Sequence, residues 1–253
     1  MLKIHNKMER KDFIKNSLGL LGASLIVPKV ISSCSSDDAI NDVSTLTTEG
    51  GTNQSCTVWP TETEGPFPTK TPSSYMRSDV KGDRTGVDAT IEIVVQNASN
   101  NCSAVEGIIV DIWHCDKDGN YSQYGGTQMQ QTNYQSYNFL RGRQITDSEG
   151  KVKFTSIFPG WYSGRATHIH VHIYNANGVS IKVTQIAFPE GTSSAVATVN
   201  SASSYGYTKG LTGYTYNAKD NVFSDDKEGL QIATVSGSLS AGYTISSNIK
   251  VSI

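Results

Sequence analysis

An all-β sandwich of mostly antiparallel strands, with long loops that carry the candidate site, is the fold this sequence predicts, and three observations predict it. Short runs rich in Val, Ile, Thr and aromatic residues recur at Ala89–Val95, Ile108–Trp113, Lys151–Phe158, His168–Tyr174, Ser180–Phe188, Leu230–Val235 and Tyr243–Val251. Turn residues separate them, as at Asp118-Gly119-Asn120 and Ser148-Glu149-Gly150. Strong helical periodicity is missing beyond residue 55, which leaves sheet packed on sheet as the way to bury the apolar faces. The chain has 253 residues, 37% hydrophobic and 17% charged, enough for one sizeable core rather than two. A net charge of -2 gives no broad basic field, so nucleic acid is excluded as the expected partner and small molecules are favoured. No stretch reaches the roughly 18 apolar residues of a membrane-spanning helix.

Taken from its start, the chain opens with Arg10, Lys11 and Lys15 ahead of the apolar run Leu18–Val27, the layout of an export signal over residues 1–33. Arg10 through Lys15 also resembles a twin-arginine signal with Lys in place of the second Arg. Ile31-Ser32-Ser33-Cys34 resembles the lipobox of bacterial lipoproteins, which implies a lipid anchor at Cys34 as the protein's contact with a membrane, periplasmic or facing outward; simple secretion is the alternative. Residues 34–55, rich in Ser, Thr, Asp and Gly, read as a flexible tether, and the domain proper is expected over 56–253. Four cysteines less Cys34 leave Cys56, Cys102 and Cys115, an odd number that outside the cell implies one disulfide and one free thiol. Cys102 and Cys115, flanking a predicted strand pair, are the expected partners; the alternative is that all three are buried small hydrophobes. Residues 191–221, without alternation, read as a long excursion over the surface.

The chemistry concentrates at His168-Ile169-His170-Val171-His172-Ile173. On a strand, side chains two apart share a face, so the three imidazoles point one way and Ile169, Val171 and Ile173 the other. One face is core and the other is a candidate metal face, the bland alternative being a solvated polar strand. Of five histidines, four lie between His114 and His172, which favours the metal reading. Imidazole binds Zn, Cu, Fe or Ni alike, so histidine alone does not name the metal. Just upstream, Phe158-Pro159-Gly160-Trp161-Tyr162-Ser163-Gly164-Arg165 delivers a tyrosine and an arginine to the start of the strand, and a second tyrosine, Tyr121, follows the Asp118–Asn120 turn.

Five segments in order resemble the intradiol ring-cleavage dioxygenases, the group that includes catechol 1,2-dioxygenase and protocatechuate 3,4-dioxygenase. They are Thr61-Glu62-Thr63-Glu64-Gly65-Pro66-Phe67; the Asp-x-Gly-x-Tyr run ending at Tyr121; Phe139-Leu140-Arg141-Gly142 with Thr146-Asp147; Pro159-Gly160-Trp161-Tyr162 with Arg165 through His170; and Thr184-Gln185. The resemblance implies Fe(III) held by Tyr121, Tyr162, His168 and His170. It implies a catechol-type substrate and O2, with the ring opened between its hydroxyl carbons to a muconate-type dicarboxylate. Hard phenolate oxygens favour ferric over ferrous iron, which fits that set. It further implies Tyr162 as the tyrosinate that substrate displaces, Arg165 as a cation stabilising charge on the reacting ring, and Gln185 near the substrate and oxygen site. His172 matches no ligand position and is assigned a structural or supporting role. Only five residues separate Tyr162 from His168, against a longer insertion in protocatechuate enzymes, so the substrate's identity does not carry over. Neither does oligomeric state, because a signal and tether stand where typical catechol enzymes carry a helical dimerisation region. Two other readings compete: a zinc site, structural or hydrolytic, using His168, His170 and a carboxylate, and a non-enzymatic glycan-binding β-sandwich using Trp113, Trp161 and exposed tyrosines.

Overall fold

The structure is a computed structural model that describes residues 56–253; the signal, the Cys34 anchor and the tether to residue 55 lie outside the described residues. Among the described residues nine strands form two sheets. They are β1 (Asp88–Asn97), β2 (Ser103–Ala104), β3 (Ile109–Trp113), β4 (Arg141–Ile145), β5 (Lys151–Ile157), β6 (His168–Tyr174), β7 (Ser180–Ala187), β8 (Thr234–Ser238) and β9 (Gly242–Val251). In one sheet β1 pairs in parallel with β9, which pairs with β8, while the other edge of β1 takes β5 and then β2, both antiparallel. The second sheet is antiparallel throughout, in the order β4-β3-β6-β7.

Alternation decides which faces meet. Ile91, Ile93 and Val95 of β1, Ile245 and Ile249 of β9, Val110 and Ile112 of β3, and Ile169, Val171 and Ile173 of β6 all enter one shared core between the sheets. Each such side chain contributes roughly 1.5–3 kcal/mol of burial. The opposite face of the four-stranded sheet is therefore released from core duty, and it is the face that holds the three imidazoles. The sandwich prediction holds, as does the strand reading of residues 168–174. Two short strands, β2 and β4, were not expected as strands, since two residues carry no period and Arg141-Gly142-Arg143-Gln144 reads as polar. β8 begins at Thr234 rather than Leu230; residues 229–232 instead make a turn in which the Asp226 carboxylate accepts from the Leu230 and Gln231 amides. Residues 191–221 are more than a surface excursion. A short helix, α1 (Ala195–Asn200), buries Val196 and Val199, and Tyr207, Tyr214 and Asp220 are buried beyond it.

The expected Cys102–Cys115 disulfide is corrected: Cys56 bonds Cys102, and Cys115 is free and buried. The reason lies in the edge of the first sheet. The Trp59 amide donates to the Lys250 carbonyl on β9, whose last residues pair with the end of β1, and Cys102 sits in the turn just past that end. The incoming segment therefore passes beside Cys102, whereas β3 carries Cys115 to the other sheet and into an aromatic cluster with Phe67, Trp113 and Tyr121.

His114, the histidine off the β6 strand among the described residues, is a core residue with both nitrogens occupied. Its Nδ1–H donates to the Cys115 carbonyl at 2.8 Å and its Nε2 accepts from the Ser156 hydroxyl at 2.8 Å. Burial, the largest cause, lowers its pKa from the usual 6.5 to about 4. A depressed folded pKa means that the unfolded chain binds the proton first, so stability is complete above pH 6.5 and is lost as pH falls toward 4. The loss amounts to about 3 kcal/mol at most. Unfolding measured at pH 7 and pH 4.5 should therefore show a smaller acid loss for His114→Gln than for the unsubstituted chain.

Candidate active site

The site is built on the outer face of the β4-β3-β6-β7 sheet. His168, His170 and His172 leave β6 on that face, all buried. His168 Nδ1–H donates to the Ala166 carbonyl at 2.6 Å, which fixes the tautomer and leaves the Nε2 lone pair bare. That Nε2 stands 3.2 Å from His170 Nε2 and 3.1 Å from the Tyr121 hydroxyl. The His170 ring lies flat on the Trp113 indole, with centroids 4.8 Å apart and planes within 2°, so packing sets its orientation. Its Nδ1 has no hydrogen-bond partner. Burial, the leading cause for both rings, lowers the His168 pKa to about 3 and holds His170 well below its ordinary value. Both imidazoles are thus neutral, with two bare or shared nitrogen lone pairs aimed at one point.

Tyr121 reaches that point from a tight loop. Asp116 accepts from the Asp118 and Asn120 amides, and Gly119 takes φ 90° between them. A Cβ at Gly119 would stand 2.3 Å from the Trp161 carbonyl, so glycine alone lets this turn close against the Tyr162 loop. The Tyr121 backbone is clamped by Gln130, whose Oε1 accepts from the Tyr121 amide at 2.7 Å and whose Nε2 donates to its carbonyl at 2.8 Å. Arg141, fully buried on β4, lies beneath the ring and donates to the Ser122 hydroxyl and carbonyl, the Phe67 carbonyl and the Thr69 hydroxyl. Tyr162 is half-buried at the rim, its ring centroid 5.6 Å from that of His168 and 5.8 Å from that of Tyr121; burial raises the pKa of its phenol and the Arg165 charge works against that rise.

The third expected group is joined as one network. Arg165 donates through Nε to Asp220 at 2.9 Å and through Nη2 to Gln185 Oε1 at 2.7 Å. Gln185 lies opposite His170 across the β6–β7 pair, and its Nε2 donates to the Thr63 carbonyl. Both ends of its amide are engaged, so it orients Arg165 rather than offering a free donor. Sequence reasoning missed Asp220, a lone acid in an unpatterned stretch. One of its oxygens accepts from Arg165 and the Ala166 amide, the other from the Val222 and Phe223 amides. Asp220→Asn turns an amide NH2 toward donors on one side or the other and releases Arg165. We expect kcat to fall about 10- to 100-fold while the fold persists, checked by steady-state kinetics beside circular dichroism.

The Thr61–Phe67 segment crosses this face as a strap. The Glu62 amide donates to Val183 on β7, Glu64 Oε1 lies 2.9 Å from His172 Nδ1, and Phe67 stacks on Tyr121 at 4.8 Å. Gly65, at φ 68°, sits so close that a Cβ there would be 3.0 Å from His170 Cε1. His172, held by Glu64, Ser180 and the stacked Tyr174 ring, fastens the strap with both of its ring nitrogens occupied.

The donor set fits a cation. Two neutral imidazole nitrogens and a phenol oxygen converge, and burial pushes the Tyr121 phenol well above its ordinary pKa. A phenolate forms in such a place only against positive charge held there. Among the described residues no three His, Cys, Asp or Glu side chains group as a metal site, and the oxygen that stands beside the two histidines is the Tyr121 phenol rather than a carboxylate.

The sequence profile of a family described as Dioxygenase matches residues 63–222, more than half of the chain, and that span contains Tyr121, Tyr162, Arg165, His168, His170, Gln185 and Asp220. This chain belongs to the intradiol ring-cleavage dioxygenases. Chlorocatechol 1,2-dioxygenase of Rhodococcus opacus is 28% identical over 132 residues, 45% of this chain and 46% of that one, so the match spans about half the length of this curated relative. An intradiol ring-cleavage dioxygenase from Tetranychus urticae aligns with a TM-score of 0.65 and 29% identity, over 78% of this chain and 95% of the other. The dioxygenase domain of a dioxygenase carbohydrate-binding protein fusion from Streptomyces sp. SirexAA-E aligns at TM-score 0.54 and 22% identity, covering 78% and 99%, and shares the fold.

Proposed function

We propose that this protein is a non-heme Fe(III) dioxygenase that inserts both atoms of O2 into a catechol-type substrate and opens the ring between the hydroxyl carbons, giving a muconate-type dicarboxylate. The observation that carries this reading is the approach of the Tyr121 hydroxyl, at 3.1 Å, and of His170 Nε2, at 3.2 Å, to His168 Nε2, with the Tyr162 ring beside them at the rim. Tyr121, Tyr162, His168 and His170 would hold the ion. When bound, ferric iron supplies the Lewis acidity that makes a ring diolate reactive toward O2.

The chain's own groups then divide the remaining work. Tyr121, clamped by Gln130 and buried, stays in place. Tyr162, half-buried at the rim, would hold the ion as its phenolate, and its Oη, released in that charged form, would accept the proton of one substrate hydroxyl. Arg165 keeps its charge, and Asp220 and Gln185 aim it; it stabilises the negative charge that grows on the ring oxygen as the ring loses aromaticity. Phe67, Trp113 and the strap wall the site from water. We also propose that residues 1–33 direct export and that Cys34 carries a lipid anchor followed by a tether to residue 55, a reading that the mass of the mature N-terminal peptide tests.

Purified protein from iron-replete cells should be red-brown from phenolate-to-iron charge transfer. The band should move when catechol is added without O2, and on admitting air the dicarboxylate should carry two atoms of 18O from 18O2. A colourless, iron-free protein that consumes no O2 with any catechol refutes the assignment.

A further inference from the structure

Tyr162 is placed largely through the residue before it. The Trp161 carbonyl and the Tyr162 amide belong to one planar peptide, so whatever fixes that carbonyl also fixes the direction in which Tyr162 leaves it. Two parts of the fold close on this peptide. From one side comes the Tyr121 turn, whose Gly119 lies against the Trp161 carbonyl, while the Asp116 carbonyl accepts from the Gly160 amide at 3.2 Å. From the other comes the excursion between α1 and Asp220, which reaches the loop at four points. The Tyr207 hydroxyl donates to the Phe158 carbonyl at 2.7 Å, Lys209 Nζ to the Trp161 carbonyl at 2.7 Å, Trp161 Nε1 to the Gly210 carbonyl at 2.9 Å, and the Thr167 amide to the Tyr214 hydroxyl at 3.0 Å.

Of these, Lys209 grips Trp161 twice. Its ammonium lies 3.8 Å from the indole ring centroid as well as on the carbonyl. A charged donor makes the stronger kind of hydrogen bond, and a cation over the ring face adds to it. Nζ would also stand 3.3 Å from a Cβ at Gly119, so it sits where the Tyr121 turn and the Tyr162 loop meet. Lys209 is itself exposed, and without it Trp161 would remain bonded to Gly210 and edged by the Tyr214 ring at 5.6 Å. The tip beyond the clasp is open. Ser163 and Gly164 are exposed, a Cβ at Gly164 would meet nothing within 4 Å, and the Arg165 amide turns back to the Tyr162 carbonyl at 3.1 Å.

We propose that Lys209 is a positioning residue for Tyr162, holding the peptide on which the Tyr162–Gly164 tip pivots as the phenol yields its place to substrate and takes it back. The inference rests on the ferric dioxygenase reading above, in which the Tyr162 phenolate is released. A phenol on a fixed pivot competes well with substrate for one position and returns to it promptly when product leaves. On a slackened pivot it does both less well, so substrate binds more tightly while turnover slows. A general loosening of the site would instead weaken binding and turnover together.

Lys209→Met keeps the stem and removes the ammonium, and Lys209→Arg restores a cation and a donor. In the metal-free protein, chymotryptic cleavage after Trp161 and Tyr162, followed by mass spectrometry, should be about threefold faster or more in Lys209→Met, because cleavage tracks the open population. In the iron-loaded protein, the dissociation constant of catechol measured without O2 and the kcat measured with it should each fall about threefold in Lys209→Met, at an unchanged urea midpoint. Lys209→Arg should recover most of every change. Equal cleavage of the methionine variant and the unsubstituted chain overturns the proposal, as does a dissociation constant that rises or stays put, or an arginine variant no better than the methionine one. If the unsubstituted protein binds and cleaves no catechol, the dioxygenase reading falls and this inference falls with it. If it cleaves catechol and Lys209→Met changes nothing, the inference alone is refuted.

Discussion

Tyr121→Phe should bleach the iron-loaded protein and lower kcat/KM by more than about a hundredfold, beyond what changes outside a metal's ligand shell cost. The ring itself is held by contacts that do not involve its oxygen. It stacks on Phe67 at 4.8 Å, and its backbone is bound at both amide groups by Gln130. Phenylalanine therefore fits the same space, and the fold should be unchanged by circular dichroism. What disappears is the oxygen 3.1 Å from His168 Nε2, and with it one of the two anionic charges proposed to favour ferric iron. Iron content, the visible band and O2 uptake should fall together. A substituted protein that keeps its colour and its turnover would remove Tyr121 from the ligand set.

Arg141→Ala should cost on the order of 3 kcal/mol of stability or more, read from the urea midpoint. The guanidinium is fully buried without a carboxylate beside it, and burial, the chief cause, lowers its pKa to about 10. Its worth comes from geometry: four hydrogen bonds join the end of the strap at Phe67, and Thr69 just beyond it, to the Tyr121 loop at Ser122. Deletion leaves buried carbonyls unpaired and a cavity under the aromatic cluster. Arg141→Lys should recover only part of the loss, because one ammonium cannot span four acceptors held by a planar fork. Limited proteolysis should find the Gln123–Gly126 stretch newly cleavable in the alanine variant.

These two residues also mark what could be seen in the sequence. The histidine strand was legible because a single period of two satisfied the core through Ile169, Val171 and Ile173 and freed the imidazoles to the opposite face. The two tyrosines were visible from the turns and the Pro-Gly-Trp loop beside them, together with the likeness to a family. Arg141 appeared within one quoted segment, but its place under Tyr121 depends on β4 pairing with β3, a tertiary event with no local signature. Asp220 and Gln130 had none either: each is one polar residue in a stretch without period, given meaning by amides that come from elsewhere in the chain. The disulfide was misjudged for a related reason. Cys102 and Cys115 are near in sequence, yet the strands that follow them part company between two sheets, and a segment from before the first strand closes the bond instead.

That bond, Cys56–Cys102, lies only a few residues ahead of the strap. The wall that seats Gly65 against His170 and stacks Phe67 on Tyr121 is thus moored upstream by a covalent link to the far end of β1, across 46 residues of sequence. Thiol reductants break such a mooring, and cytosolic redox conditions do not sustain it. A batch made in a reducing cytosol would accordingly enclose the same four proposed ligand side chains behind a slacker door, and assays on such material would understate how tightly the disulfide-bonded protein grips a small aromatic guest.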